Sequence, residues 1–214
     1  MSSEERGGRL SPWLSEKRMR ISQEYLRGRV LDFGCNDGPL LAYCESEKYV
    51  GLDIAEAGLS RAREKHPGVR FVAAVEPGEK FDTVAALAMI EHVPNPGGLL
   101  AQWAGMLAPG GRIVLTTPHP RMEWAHTVGA RLRIFSSEAH DEHEDLLDRP
   151  KMAQLAEKAG LRIVVYKRFL LGANQLFVLA PVKSDVPVDA TAAEPADTEP
   201  AAAPASPTEQ PADR

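Results

Sequence analysis

Cysteine is nearly missing from this sequence. The 214 residues contain two, Cys35 and Cys44, at no metal-ligand spacing and too few for a disulfide framework. Dense runs of Lys and Arg are also missing, which argues against nucleic acid as the main partner, because phosphate binding leans on clustered cations. There is no long hydrophobic run either. The stretch "FLLGANQLFVLAPV" is broken by Gly172, Asn174 and Gln175, so no membrane span is expected. The opening "MSSEERGGRL" has charges but no apolar run behind them, so no secretory leader is expected. These absences together lead us to expect a cytoplasmic protein in a reducing compartment.

What the chain does have is 43% hydrophobic and 26% charged residues, ordinary for one globular domain. The net charge of −5 is unevenly placed. From Val182 to Arg214 there are seven acids against Lys183 and Arg214, so the body before it is formally neutral. Residues 182–214, rich in Ala, Pro and Thr and without aromatics, are expected to form a disordered acidic tail, since they cannot bury enough apolar surface to offset the entropy of ordering. At the other end, residues 1–28 read as a helical segment. Ser11 suits a cap, Pro12 the first helical position and Gly28 the stop, with Trp13, Leu14, Ile21, Tyr25 and Leu26 on one broad face.

Between them, β-rich apolar runs fall at Val30–Phe33, Tyr49–Ile54, Arg70–Val75, Phe81–Met89, Arg112–Thr117, Leu161–Phe169 and Gln175–Ala180. Helix-like segments at Pro39–Ser46, Glu56–Lys65, Gly98–Leu107 and Pro150–Ala159 alternate with several of them. This pattern predicts an α/β domain over 29–181, with a Rossmann-like, mostly parallel seven-stranded sheet and helices on both faces. The short "LLGA" link predicts a hairpin of the last two strands, and so one antiparallel strand. Residues 119–147 have no period and are long for a connection, as expected of a substrate-binding insertion or lid.

The most specific stretch is "RVLDFGCNDGPLL", a strand, a tight loop and a helix-like segment. Gly34 and Gly38 allow positive φ and close approach of backbone to a ligand, and Asn36 also tolerates the left-handed region. A helix beyond the loop would offer free N–H groups to an anion. The dinucleotide fingerprint needs glycines at i, i+2 and i+5; counted from Gly34, the second and third positions are Asn36 and Pro39. Asp53 closes the next strand in "YVGLDI", where a carboxylate can accept from both ribose hydroxyls. Together these features point to an adenosine-containing ligand.

With "VLDFGCNDG", "GLDI", "FDTVAALAMIEHV" and "LAPGGRIVLTTP" in this order, the chain resembles the class I S-adenosylmethionine-dependent methyltransferases, of the small bacterial type with little beyond the core domain. The resemblance covers Arg29 to Pro181. It implies S-adenosylmethionine as cofactor, held by the loop residues Asp32, Gly34, Cys35, Asn36 and Gly38, with Asp53 at the ribose and Ile54 on the adenine. Leu87 and Ala88 then line the cofactor from the fourth strand. Two departures stand out. Asn36 replaces the usual central glycine, and "AAVE" lacks the third-strand Asp that faces the adenine amino group in many relatives, leaving the Val75 backbone or Glu76 for that contact. The implied activity is methyl transfer to a small-molecule acceptor, with oxygen the expected atom. A non-catalytic cofactor-binding subunit and a nicotinamide-dependent oxidoreductase are the competing readings.

Methyl transfer from a sulfonium needs positioning and exclusion of water above all, and a base chiefly when the acceptor must lose a proton. His119, held between Pro118 and Pro120, and His92, just past the fourth strand, are the catalytic candidates. Glu91 could orient the His92 ring or cap a turn. His126, His140 and His143 lie in or near the insertion, and Trp13, Tyr25 and Trp124 could wall an acceptor pocket. No metal is expected. The fourth-strand stretch "AMIEH" has Ala88 where the small-RNA 3′-end methyltransferases carry the first acid of a metal-binding E-x-x-E-H.

Overall fold

The computed structural model describes residues 11–120 and 147–187. Trp124, His126, His140, His143, most of the 119–147 insertion, the first ten residues and the chain from 188 onward lie outside the described residues. Within them the elements run α1 (Ser11–Gln23), β1 (Val30–Phe33), β2 (Tyr49–Leu52), α2 (Glu56–Lys65), β3 (Arg70–Val72), β4 (Phe81–Leu87), α3 (Pro96–Met106), β5 (Leu107–Pro118), α4 (Arg149–Lys158), β6 (Leu161–Phe169) and β7 (Asn174–Pro181).

The seven strands form one sheet in the order β3-β2-β1-β4-β5-β7-β6. All neighbours are parallel except at β7, which runs antiparallel to both β5 and β6. Order therefore reverses between β1 and β4, and the carboxyl ends flanking that switch point are where open α/β sheets bind ligands. The predicted single antiparallel strand is present. It arises because four residues join β6 to β7, too few for the crossover a parallel pair would need.

Alternation along the strands serves two cores. Leu31, Val84, Ala86, Ile113, Leu115, Phe177 and Leu179 face Leu100 and Trp103 of α3 and Met152 and Ala156 of α4. Val30, Ala85, Val114, Leu176, Val178 and Ala180 face the other way, toward Leu59 and Ala62 of α2, with Met19 and Ile21 of α1 packed alongside. Period-two side chains that are apolar on both faces are what a sheet covered on both sides requires. In β6 the register shifts between Ile163 and Val165, and Val164 and Val165 both join the second core, as expected of a bulge.

Several elements differ from the sequence expectation. Helix α1 stops at Gln23, and Tyr25 and Leu26 donate to Ser22 and Gln23 carbonyls in a turn. Trp13 is 46% exposed with Lys17 over its ring, so it neither packs in the core nor follows the expected apolar face. Strand β5 begins at Leu107, earlier than the apolar run, because Leu107 pairs with Phe81 across an irregular register. The largest change is at Pro39–Ser46. An α-helix was expected, and the chain makes two 3₁₀ turns, Pro39–Tyr43 and Ser46–Lys48.

At the amino ends of the strands, Glu79 is held between Arg29 and Arg70 and accepts from the Glu76 backbone N–H. The Arg70 guanidinium and these bonds hold its carboxyl at about 2, below the ordinary 4.5. A depressed carboxylate contributes stability above its unfolded pKa and loses it as pH falls toward the folded value. Glu79→Gln is therefore expected to lower stability by about 1–2 kcal/mol at neutral pH, less than a fully buried pair would. The variant should also lack the wild type's added loss between about pH 4.5 and 2. Urea unfolding across pH 2–7 reads both; parallel curves for the two proteins would refute the assignment.

Candidate active site

Strand β1 ends at Phe33, and the next residues turn back over its carboxyl end. The Gly34 and Cys35 N–H groups both donate to the Leu52 carbonyl, at 2.8 and 3.0 Å. Gly34, Asn36 and Gly38 all have positive φ, at 82°, 46° and 79°, which is why this loop spends glycines and an asparagine where it does. Helix α2 props it from the side. Arg61 donates to Asn36 Oδ1 at 3.2 Å, Lys65 pairs with Asp37, and Gly58 is bare because a Cβ there would lie 2.9 Å from Asn36 Oδ1.

Asp53 follows β2 and faces this loop. Its Oδ2 accepts from the Asn36 N–H and its Oδ1 from the Ala55 N–H, each at 2.8 Å. A carboxylate has about four lone-pair sites, so each oxygen keeps one for a ligand. Ile54 beside it is 92% exposed, an apolar side chain presented to the ligand edge next to a polar anchor. Leu87 ends β4, half-buried opposite Thr116. Ala88 follows with φ 53° and donates to the Thr116 carbonyl at 2.8 Å. A non-glycine residue in this region costs on the order of 1–2 kcal/mol, and such strain concentrates at functional sites.

One expectation changes here. The helix after the loop is not an anion site: Gly38 and Leu41 N–H groups are already used by Cys35 and Gly38 carbonyls, and Pro39 has none. Asp32 is buried and accepts from Tyr49 Oη at 2.6 Å, so it braces the loop from below. Burial pushes its carboxyl up to about 7 against the pull of that hydrogen bond, with the Asp53 charge adding to the rise. Cys35 is buried, with Sγ close to where a Gly51 Cβ would stand. Burial first, then the nearby Asp32 and Asp53 charges, push its thiol up to about 12, so only its backbone faces the loop's outer side. Glu76 is exposed and its backbone N–H donates to Glu79 Oε2 at 3.1 Å, while the Val75 side chain packs against the core.

The two histidines are placed differently. His92 is exposed on a 3₁₀ turn, Ile90–His92. His119 is buried just beyond β5, its N–H donating to Ala173 at 2.9 Å in the β6–β7 turn. Around it lies a polar cluster that sequence reasoning missed: Thr116, Thr117, Asn174, Gln175 and Glu91 are all buried. Gln175 donates through Nε2 to the Pro118 and Leu147 carbonyls, tying together the two stems of the 119–147 segment. The only signal in the sequence was the density of polar residues at strand ends that otherwise read as core.

Residues 7–166 match the family described as "Methyltransferase domain". A ubiquinone biosynthesis O-methyltransferase from Bordetella pertussis is 30% identical over 167 residues, covering 70% of this chain and 66% of that protein. This chain therefore spans slightly less than two thirds of that relative's length. Among solved structures, an S-adenosylmethionine-dependent methyltransferase from Mesorhizobium loti superposes with a TM-score of 0.58 at 17% identity, covering 75% of this chain and 95% of that one. An amino pentose methyltransferase from Micromonospora echinaspora, solved with S-adenosylmethionine bound, gives 0.55 at 20% identity, covering 78% and 88%. At these identities the structural likeness establishes the fold.

Proposed function

The chain belongs to the methyltransferase-domain family, and from that premise we propose that it is a cytoplasmic S-adenosylmethionine-dependent methyltransferase acting on a hydroxyl of a small molecule. The observation that carries the reading is Asp53, held by two backbone N–H groups with acceptor capacity on both oxygens, directly beside the Gly34–Gly38 loop and the exposed Ile54. In this reading Asp53 accepts from both ribose hydroxyls. Ile54 lies against the adenine, the Gly34–Gly38 backbone approaches the methionine portion, and Leu87 and Ala88 line the β4 side. When bound, the cofactor supplies a methyl group already activated on a sulfonium.

These residues fit that group better than a dinucleotide. A pyrophosphate needs free N–H groups at a helix N-terminus, and here Pro39 and two bonded amides occupy that place. Oxygen as the acceptor atom is supported by the O-methyltransferase name of the Bordetella relative, and a reducing compartment by two free cysteines. The family's need for positioning over chemistry falls on the loop and on the β5 and β7 ends around His119.

Calorimetric titration with S-adenosylmethionine, S-adenosylhomocysteine and NAD tests the proposal. Saturable binding of both sulfur ligands and none of NAD is expected, followed by methyl transfer in a screen of hydroxylated acceptors. A preference for NAD would overturn it, as would folded protein that binds neither sulfur ligand.

A further inference from the structure

At the pole of the sheet opposite the Gly34–Gly38 loop, the start of β5, the end of β7 and the carboxyl end of α3 border a cavity of about 800 Å³. That is the size of a ligand pocket. Leu107, Pro109, Pro181, Val186 and Pro187 give it apolar walls. Among the described residues, Lys80, Arg112 and Lys183 bring three cations to it against the single acid Asp185. Arg112 sets the demand, because its Nε is buried without a hydrogen-bond partner. A buried donor left unsatisfied costs free energy, and more when it belongs to a charged group. Burial, then the Arg27 charge, push the Arg112 guanidinium below its ordinary value, and no carboxylate among the described residues pulls it back. Lys80 donates to the Gly105 carbonyl at 2.6 Å, which leaves two of its three N–H groups for another acceptor. The cavity is short of negative charge.

The chain itself leads into it. After β7 the Val182 N–H donates to the Gly160 carbonyl at 3.0 Å, and Arg162 donates to the Ser184 and Val186 carbonyls at 3.1 and 2.7 Å. Val186 is buried. These bonds fix the path of the chain, and Val186 and Pro187, where the described residues end, line the cavity. Residues 188–199 contain Asp189, Glu194, Asp197 and Glu199 and no Lys or Arg, the rest being Ala, Thr, Val and Pro. Extended chain covers about 3.5 Å per residue, so a stretch of this length starting on the rim reaches every cation around it. We propose that this cavity is the docking site of the chain's own residues 188–199, their carboxylates meeting Arg112, Lys80 and Lys183 and their small apolar side chains lying on the walls. The tether selects this occupant over a free anion, since a short link holds the carboxylates beside the cavity at an effective concentration on the order of millimolar. The cavity lies at the far pole from the Gly34–Gly38 loop, and the proposal does not depend on the methyltransferase reading.

The test uses a synthetic peptide of residues 188–199 carrying a neutral dye, titrated by fluorescence anisotropy into two full-length proteins at low salt. One is the wild type. The other carries Asp189→Asn, Glu194→Gln, Asp197→Asn and Glu199→Gln, which neutralise its own segment. The neutralised chain is expected to bind the peptide saturably, and the wild type at least about tenfold more weakly, because its own segment already fills the cavity. Adding Lys80→Gln and Lys183→Gln, both at exposed positions, should cost the neutralised chain about tenfold or more in affinity, and about 1 M salt should do the same by screening. Arg112→Lys keeps the charge and removes the buried Nε, and should weaken binding about threefold or more. In wild type, carbodiimide coupling should join the Lys80 or Lys183 amine to a carboxylate of 188–199 as an amide, with loss of one water. In an equal mixture of light- and heavy-isotope chains these cross-links should stay within one chain. No saturable binding by the neutralised chain, equal binding by the two proteins, or cross-links as frequent to Lys17 and Lys65 as to Lys80 would each overturn the proposal. Mixed-isotope cross-links would overturn it as well, by giving the cavity to the segment of a second copy.

Discussion

Replacing Asp53 by alanine is expected to weaken S-adenosylhomocysteine binding about 100-fold or more. Two charge-assisted hydrogen bonds to ribose hydroxyls are lost, each worth on the order of 1.5–3 kcal/mol, and every 1.4 kcal/mol is tenfold in affinity. The same carboxylate holds the Asn36 and Ala55 N–H groups, so the substitution also releases the loop, and the two effects must be separated. A ligand lacking the ribose 2′-hydroxyl does this. If Asp53 contacts that hydroxyl, deleting the hydroxyl weakens binding to wild type far more than to Asp53→Ala, a coupling that a loosened loop would not produce. Asp53→Asn is the sharper variant. Its amide nitrogen must face one of two N–H donors, so it should lose most of the affinity while keeping the volume. Tight binding by either variant would remove Asp53 from the ribose.

Gly38→Ala is expected to destabilise the protein by about 3 kcal/mol. Gly38 has φ 79°, which costs an L-residue about 1–2 kcal/mol. The new Cβ would stand 2.9 Å from Cε1 and Cζ of Phe71, and overpacking of this kind adds about 1–3 kcal/mol. Phe71 has no room to retreat. It is 5% exposed, with the Tyr49 ring at 5.7 Å and the His66 ring at 6.0 Å. For a chain of this size each kcal/mol lowers Tm by roughly 2–4 °C, so a fall near 10 °C should appear in thermal unfolding. In a Phe71→Leu background the clash is relieved and the backbone strain is not, so about half the penalty should remain. An unchanged Tm would mean that the loop adopts another conformation.

The sheet was legible because its signals are local. β1, at Val30–Phe33, and α2, at Glu56–Lys65, fall where the residue pattern places them. The four-residue link between the last two strand runs fixed the antiparallel strand without any tertiary information. The failures have equally local causes that patterns do not weigh. Pro39–Ser46 has helical composition, but it follows a left-handed Gly38 and a proline and must bury Leu40, and two 3₁₀ turns do that where an α-helix was expected. Strand β5 begins at Leu107, which pairs with Phe81, and passes through Ala108, Pro109, Gly110 and Gly111, residues no propensity scale assigns to a strand, before the regular ladder starts at Arg112 opposite Thr83.

At the site, the loop and Asp53 were readable because they lie within twenty residues of one another. The Arg18–Asn174 contact joins residues 156 positions apart, on α1 and at the start of β7. Nothing in one segment's composition announces such a meeting. His119 was singled out for its flanking prolines, and Glu91 was read as orienting the His92 ring or capping a turn; the burial of both depends on contacts between distant segments that neither local pattern carries.

The backward run of β7 bears on how such a protein acquires new specificity. Parallel strands bring only their ends to the ligand edge, so altering that edge through them means altering the start of a helix-bound connection as well. β7 brings its beginning, and the turn before it, residues 170–173, carries the fully exposed Leu171. Length added there extends the rim beside His119 and Asn174 while both flanking strands stay paired. It is the place where evolution, or a library of inserted loops, can reshape this edge of the sheet at least cost to the fold.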